Sequence, residues 1–135
     1  MQGKTFADTN IVVYAYSQSE ADKRNKAIAV LDNSHLVVST QVLREFISVA
    51  IHKYNMPLDE VMVQIAEIAN AAEIVYEDME LFTSALRIYE QYGYRFYDCL
   101  IISAALKADC AVLLSEDMQS GQVIDGKLTI LNPFI

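Results

Sequence analysis

Short apolar segments alternate with longer mixed segments along the chain, and this pattern predicts most of its secondary structure. Short apolar runs bounded by polar residues are typical of strands that are buried on both faces of a sheet. Strands that alternate with helices indicate a parallel sheet covered by helices. We therefore expect an α/β fold of three layers, in which a central parallel sheet of about five strands carries helices on both faces. The predicted strands are Lys4–Ala7, Leu36–Val38, Glu73–Tyr76, Ala111–Leu114 and Lys127–Leu131.

Capping residues indicate where the helices between these strands begin and end. Ser19 is expected to cap a helix that carries Asp22 at its third position, as in a capping box. Pro57 suits the first turn of a helix, where its missing N–H costs little, and Gly93 suits the position just after one. The predicted helices run from Ser19 to about Asn33, from Ser39 or Thr40 to about Tyr54, from Pro57 to about Ala71, from Asp78 to Gly93, and from Asp98 to Ala108.

Composition predicts one folded domain over residues 1–135. Hydrophobic residues make up 53% of the chain and charged residues 21%, which excludes a disordered protein. The longest apolar run, near Cys99–Leu106, stops at Lys107 and is shorter than the roughly 20 residues of a membrane span. Two cysteines without a CxxC pattern fit reduced thiols in the cytoplasm, and the first residues do not resemble a secretory signal.

The chain is acidic, with 10 Lys and Arg against 18 Asp and Glu and a net charge of −8. This balance argues against a protein that binds nucleic acid through bulk positive charge. It leaves open a nucleic-acid enzyme that binds its own metal cations.

Three acidic residues are expected at one edge of the sheet. Asp8 directly follows the first strand, Asp117 follows the fourth, and Glu45 lies in the second turn of the helix that leaves the second strand. In open parallel sheets, ligands bind outside the carboxyl ends of the strands. Asp98 is not placed by this rule, but it begins an almost wholly apolar segment, where a carboxylate needs backbone N–H groups, a cationic side chain or a metal as partner.

Each of these acids also has an ordinary structural interpretation. Asp8 and Asp98 can be turn or capping residues, Asp117 a loop acid, and Glu45 part of a solvated helix face. The convergence of acids from distant points of the chain favours a site instead. Carboxylates in one cleft repel one another unless protons or cations intervene. The hard cations Mg²⁺ and Mn²⁺ prefer oxygen ligands, can orient a phosphodiester and can activate water, which is the chemistry of a nuclease.

Four segments carry a recognisable family pattern. They are Asp8-Thr9-Asn10 followed by Ile11–Tyr16, then Ser39–Phe46, Phe96–Ala105, and Leu113–Gly121 with Asn132-Pro133-Phe134. In this order and at this spacing they resemble the PIN-domain ribonucleases over nearly the whole chain. The last segment resembles the closing segment of the VapC-type toxins of toxin–antitoxin pairs.

This resemblance implies a PIN fold and an endoribonuclease that depends on Mg²⁺ or Mn²⁺. It also implies a homodimer, and inhibition by a small antitoxin whose C-terminal segment covers the site. The family's acids correspond to Asp8, Glu45, Asp98 and Asp117. Ser115 corresponds to a hydroxyl residue that usually supports the fourth of these acids.

The resemblance also suggests a division of roles among these residues. Asp8 and Asp98 are the first-choice metal ligands, followed by Asp117. Glu45 is either a ligand through water or the group that orients the attacking water. Asn10 and Ser115 are expected to hold the acids by hydrogen bonds.

Aromatic residues surround a single arginine just before Asp98, in the segment from Tyr92 to Tyr97. Such a segment can stack an unpaired RNA base. We expect Phe96 and Tyr97 to pack in the core, which makes Tyr94 and Arg95 the candidates for contact with RNA.

Two other function classes remain open at the level of the sequence. One is a non-catalytic interaction subunit on the PIN fold, although the presence of all four acids argues against it. The other is a phosphatase-like hydrolase with Asp8 as nucleophile, which needs a second aspartate where Asn10 stands. Metal binding at the acids separates a nuclease from an interaction subunit.

Overall fold

The computed structural model describes residues 3–32 and 34–135. Within these residues there are six strands and six helices, one strand and one helix more than the sequence pattern predicts, and each of the first three strands is followed by a pair of helices. The strands are β1 (Lys4–Ala7), β2 (His35–Ser39), β3 (Glu73–Val75), β4 (Cys110–Leu114), β5 (Val123–Ile124) and β6 (Leu128–Leu131). The helices are α1 (Thr9–Ala15), α2 (Ala21–Asp32), α3 (Thr40–His52), α4 (Leu58–Ala71), α5 (Met79–Tyr92) and α6 (Phe96–Lys107).

The strands form one sheet in the order β3-β2-β1-β4-β6-β5. All neighbouring pairs are parallel except β5 and β6, which are antiparallel. The five predicted strands are thus confirmed, and β5 is an addition. Two residues are too short a strand for a hydrophobic pattern to reveal. The turn before β6 contains Asp125 and Gly126 with φ of 53° and 68°, the left-handed conformation that tight hairpins favour.

The order of the strands places helices on both faces of the sheet. The chain moves from β1 to β2 to β3 in one direction through α1 to α4, and returns from β3 to β4 through α5 and α6. Because such crossovers are right-handed, the reversal of direction puts α5 and α6 on the opposite face. The three-layer α/β prediction is therefore confirmed.

The core lies between the sheet and α6. Cys99 to Ala105 are all buried, since α6 packs against β2 and β4 on one side and α5 on the other. Phe6, Ile102 and Leu113 have no exposed surface at all. No helix within residues 3–32 and 34–135 has the length and apolar character to cross a membrane.

Three predicted helix boundaries differ from the structure. Ser19 does not cap α2, which begins at Ala21, because the Ser17 hydroxyl accepts the N–H groups of Ser19 and Glu20 at 3.3 and 3.2 Å. The predicted end of this helix at Asn33 falls outside the described residues. The third helix ends at His52 rather than near Tyr54, ahead of a turn at Asn55 with φ of 49°.

The third difference concerns the acid at the start of α6. This helix begins at Phe96, two residues before the predicted start, so Asp98 lies inside its first turn and is not its cap. The apolar segment after β1 is also helical: Asp8 caps α1, which begins at Thr9. Both differences change which way an acidic side chain leaves the backbone.

Candidate functional site

A cleft of about 300 Å³ opens at the carboxyl ends of β1 and β4. These neighbouring strands lie where the strand order reverses, which is where open α/β sheets bind ligands. The four acids predicted from the sequence all line this cleft: Asp8, Glu45, Asp98 and Asp117. The structure therefore brings together residues that are up to 109 positions apart, counted from Asp8 to Asp117.

Asp8 is both a helix cap and a cleft residue. Its N–H donates to the carbonyl of Leu114 at 3.0 Å, which extends the pairing of β1 with β4 by one residue. Its Oδ1 accepts the N–H of Thr9 at 2.7 Å, and its Oδ2 accepts the hydroxyl of Ser115 at 3.1 Å. The structural and the functional interpretation of Asp8 are thus compatible.

Glu45 is held in place by a residue that the sequence analysis did not single out. The hydroxyl of Thr9 donates to Glu45 Oε1 at 2.6 Å. Glu45 lies in the second turn of α3, which Ser39 caps by accepting the N–H of Val42 at 3.4 Å. The sequence did contain a signal for the role of Thr9, because Thr9 lies between Asp8 and Asn10, which are both predicted site residues.

Asn10 and Ser115 each form a hydrogen bond to an acid, but Ser115 does not reach the fourth acid, Asp117, as the resemblance implies. The Asn10 amide donates to Asp117 Oδ2 at 3.3 Å. Ser115 is fully buried and donates its one hydroxyl proton to Asp8 rather than to Asp117. Ser115 Oγ also accepts the N–H of Met118 at 3.4 Å, which fixes the orientation of the hydroxyl.

The pKa values of two cleft acids show that the carboxylates interact. The pKa of Asp8 is raised from 3.8 to about 6, chiefly by burial; the Thr9 N–H and the Ser115 hydroxyl oppose this shift, and the charges of Asp98 and Glu45 add to it. Burial also raises the pKa of Asp98, with Arg95 opposing the shift and Asp117 and Glu45 adding to it. A cation in the cleft relieves both the desolvation and the repulsion of the charged forms.

The donor set fits a hard divalent cation. The acids offer carboxylate oxygens, and no described residue that lines the cleft is a cysteine or histidine. Among residues 3–32 and 34–135, no three His, Cys, Asp or Glu side chains lie close enough together to hold a metal ion between them. Mg²⁺ keeps several waters and takes only one or two carboxylates, so the spread of these acids suits it.

The aromatic segment before Asp98 is arranged differently from the prediction. Tyr97 is 68% exposed and lines the cleft, so the expectation that it packs in the core is wrong. Phe96 does pack against the core. Tyr94 is partly buried, and its hydroxyl donates to Gln122 and accepts the N–H of Gln119. Arg95 lies at the cleft with its Nε 3.6 Å from Asp98 Oδ2 and its side chain 82% exposed.

A second, more apolar groove of about 420 Å³ adjoins the acidic cleft. It is lined by residues that include Tyr16, Phe46, Tyr54 and Pro57, from both sides of the α1–α2 and α3–α4 connections. Val49 lines both the groove and the cleft, so the two depressions meet at this residue.

Comparison with known proteins gives a family and a set of structural neighbours. The model of the family described as PIN domain matches residues 5–122. No curated protein matches the chain. The fold is similar to a toxin–antitoxin complex from Klebsiella pneumoniae, with TM-score 0.72, 17% identity, and 96% of this chain and 98% of that chain covered.

Two further neighbours have the same fold. VapC20 of Mycobacterium tuberculosis, described as a sarcin-ricin loop cleaving toxin, has TM-score 0.67 and 14% identity, with 82% and 87% of the two chains covered. VapBC2 of Rickettsia felis, bound to a promoter DNA fragment, has TM-score 0.67 and 20% identity, with 95% and 97% covered. At these identities the likeness concerns the fold.

Proposed function

The chain belongs to the PIN-domain family, and from this premise we propose that it is a magnesium-dependent endoribonuclease that hydrolyses RNA phosphodiester bonds. The observation that carries the proposal is the convergence of four carboxylates on one cleft at the switch point of the sheet. Members of this family are typically metal-dependent nucleases. VapC20, which shares the fold, is described as a sarcin-ricin loop cleaving toxin.

The hydrogen bonds of the cleft residues suggest a role for each side chain. When bound, the divalent cation supplies charge neutralisation for the phosphodiester and its leaving oxygen. Asp8 and Asp98 would hold it, with Asp117 as the next ligand. Glu45, fixed by Thr9, would orient the attacking water and receive its proton. Ser115 and the Thr9 N–H keep Asp8 in place, since each occupies one of its oxygens.

The net charge of −8 is consistent with this proposal because the cleft needs a cation before it can bind a phosphate. Arg95 is the one cationic side chain among the described residues that line the cleft. An acidic protein of this kind would bind RNA only weakly without metal. Metal dependence of RNA binding therefore follows from the same geometry as metal dependence of cleavage.

The test is cleavage of a mixed RNA pool with Mg²⁺ or Mn²⁺, against EDTA. We expect cleavage by the wild type in metal, and a loss of at least about 100-fold in Asp98→Asn, since even residues that only support ligands contribute 10–100-fold. Asp59→Asn is the matched control, because Asp59 is exposed in the first turn of α4 and outside the cleft. A non-catalytic interaction subunit would show neither Mn²⁺ binding nor cleavage.

We also propose that the protein is the toxin of a toxin–antitoxin pair and that a small antitoxin covers the cleft. The apolar groove beside the cleft can hold an apolar segment of the antitoxin, and the meeting point at Val49 lets a neighbouring Arg or Lys reach the acids. The structural neighbour from Klebsiella pneumoniae is described as a toxin–antitoxin complex. Coexpression with the products of adjacent reading frames tests this: one product should form a complex and abolish cleavage.

A homodimer is proposed from the surface of α5. Met79, Phe82, Leu86 and Tyr89 lie on one face of this helix and are between 37% and 74% exposed. Exposed apolar patches of this kind mark interaction sites.

Both cysteines are buried free thiols, which supports a reducing compartment such as the cytoplasm for the activity.

A further inference from the structure

We propose that Tyr97 is a stacking platform for one unpaired RNA base at the mouth of the cleft. This inference rests on the proposed nuclease function and adds a residue that binds and positions the substrate. Tyr97 is adjacent to Asp98, lines the same cleft as the four acids and is 68% exposed. An aromatic ring with a free surface beside a phosphodiester site offers the contact that unpaired bases use.

The position of Tyr97 is fixed by its neighbours although its ring is exposed. Its backbone carbonyl accepts the side-chain N–H of Gln41 at 3.2 Å, and Gln41 is only 3% exposed. Its ring meets the ring of Phe96 edge to face, with the centroids 6.2 Å apart, and Phe96 packs against the core. The ring is therefore held before the base arrives, which lowers the entropy cost of binding.

Gln41 gives a second, independent observation at the same place. Its amide must present the nitrogen to the carbonyl of Tyr97, so its Oε1 has to act as an acceptor. Within the described part of the chain, this buried oxygen has no donor. Unpaired buried acceptors are rare in native proteins. Gln41 also lines the cleft, and a buried water beside the backbone of Tyr97 would supply the missing donor.

Stacking also provides a source of RNA affinity that does not depend on positive charge, which this acidic protein lacks. A chain with net charge −8 gains little from the release of counterions from RNA. Arg95 is the nearby cation, and Asp98 already attracts it. Stacking does not depend on salt in this way, so RNA affinity at Tyr97 is expected to change little between low and moderate salt.

Stacking on Tyr97 requires a base that has left the RNA helix stack. In an A-form duplex the bases are stacked on one another and their faces are not available. In loops and single strands a base can leave the stack and lie on a protein ring. The stacking contribution of about 1–3 kcal/mol per base corresponds to roughly 5- to 150-fold in affinity.

The experiment uses an RNA oligonucleotide that contains the fluorescent base 2-aminopurine. Its binding to the protein is measured by fluorescence, with Ca²⁺ in place of Mg²⁺. Stacking should quench the probe with the wild type, and Tyr97→Ala should lose the quench and at least about fivefold in affinity. Tyr97→Phe and Tyr97→Trp should keep both, because they keep a ring. Tyr76→Ala is the matched control, since Tyr76 is also 68% exposed but does not line the cleft.

Cleavage assays in Mg²⁺ with the same variants separate the two proposals. We expect Tyr97→Ala to raise KM with a smaller change in kcat, and a fully paired duplex to be a poor substrate. Equal affinity, quench and KM in Tyr97→Ala and wild type would overturn the inference while the nuclease function stands. Quenching that depends on Tyr97 without any cleavage in metal would overturn the nuclease function and leave base stacking in place.

Discussion

The hydroxyl of Thr9 donates to Glu45 Oε1 at 2.6 Å and so joins two residues that are 36 positions apart. Thr9 follows Asp8, which lines the cleft itself, and precedes Asn10, which holds Asp117. Two consecutive residues at the start of α1, Thr9 and Asn10, therefore donate hydrogen bonds to three different acids: Asp8, Glu45 and Asp117. This arrangement gives a direct test of how strongly the support of an acid affects the proposed reaction.

Replacing Thr9 with valine removes the donor and keeps the shape of the side chain. We expect Thr9→Val to lower the cleavage rate about 10- to 100-fold, the usual effect of removing a group that orients a ligand. Thr9→Ser should recover most of the rate because it restores the hydroxyl. Thr83→Val is the control, since Thr83 donates to Met79 on the exposed surface of α5. Equal rates in Thr9→Val and wild type would show that Glu45 needs no such support.

Asp8→Asn should separate stability from activity. The folded-state pKa of about 6 lies above the ordinary value of 3.8, so folding favours the protonated carboxyl. The stabilisation that Asp8 contributes is therefore full below about pH 4 and is lost as the pH rises through 6. Asparagine does not titrate at this position. Without metal, the Tm of Asp8→Asn relative to that of the wild type should therefore rise between pH 4 and pH 7.

Melting curves across this pH range, in EDTA, test the prediction, with Asp59→Asn as the control for the loss of one acid. Asp59→Asn should follow the wild type at every pH. If Asp8→Asn unfolds the metal-free protein, Asp8 acts chiefly as the cap of α1.

Metal binding should stabilise the wild type in a way that depends on pH. A ligand at 100 times its Kd adds about 2.7 kcal/mol to the free energy of unfolding. Protons compete with the metal for the carboxylate of Asp8, so the rise in Tm on adding Mn²⁺ should be larger at pH 7.5 than at pH 5. Calorimetry or melting curves measure this rise, which Asp98→Asn should lose. A Tm that does not change on adding Mn²⁺ at either pH would contradict the metal site.

A charge on the exposed face of α5 should break the proposed homodimer. Leu86 is 59% exposed, so Leu86→Glu is expected to fold normally and to elute as a monomer when analysed by light scattering. Val63→Glu on α4 is the matched control, because Val63 is 60% exposed on another helix. The control should remain dimeric. The reverse result would move the interface from α5 to α4.

Local sequence signals predicted the elements whose ends depend on near neighbours. Asp78 caps α5 by accepting the N–H of Leu81 at 2.9 Å, and Gly93 ends it with φ of 77°, both as expected. The prediction failed at Ser19, where the hydroxyl of Ser17 competes for the same backbone groups. It also missed β5, whose two residues exist as a strand only because β6 pairs with them.

The sequence by itself determined the α/β architecture and placed three acids, Asp8, Glu45 and Asp117, at the carboxyl edge, because strand length, apolar pattern and the order of elements are properties of the chain. Asp98 was added only by the family resemblance, and the packing of α6 brings it to the same cleft. Only the tertiary structure decided which donor holds which acid. The hydrogen bonds from Ser115 to Asp8 and from Asn10 to Asp117 each join residues that are 107 positions apart in the sequence. A local sequence pattern cannot predict contacts between such distant positions. The exposure of Tyr97 is of the same kind. Beyond Asp98, α6 is apolar on nearly every side, so its hydrophobic pattern does not indicate which face is buried. The packing of α6 between the sheet and α5 determines which rings remain exposed.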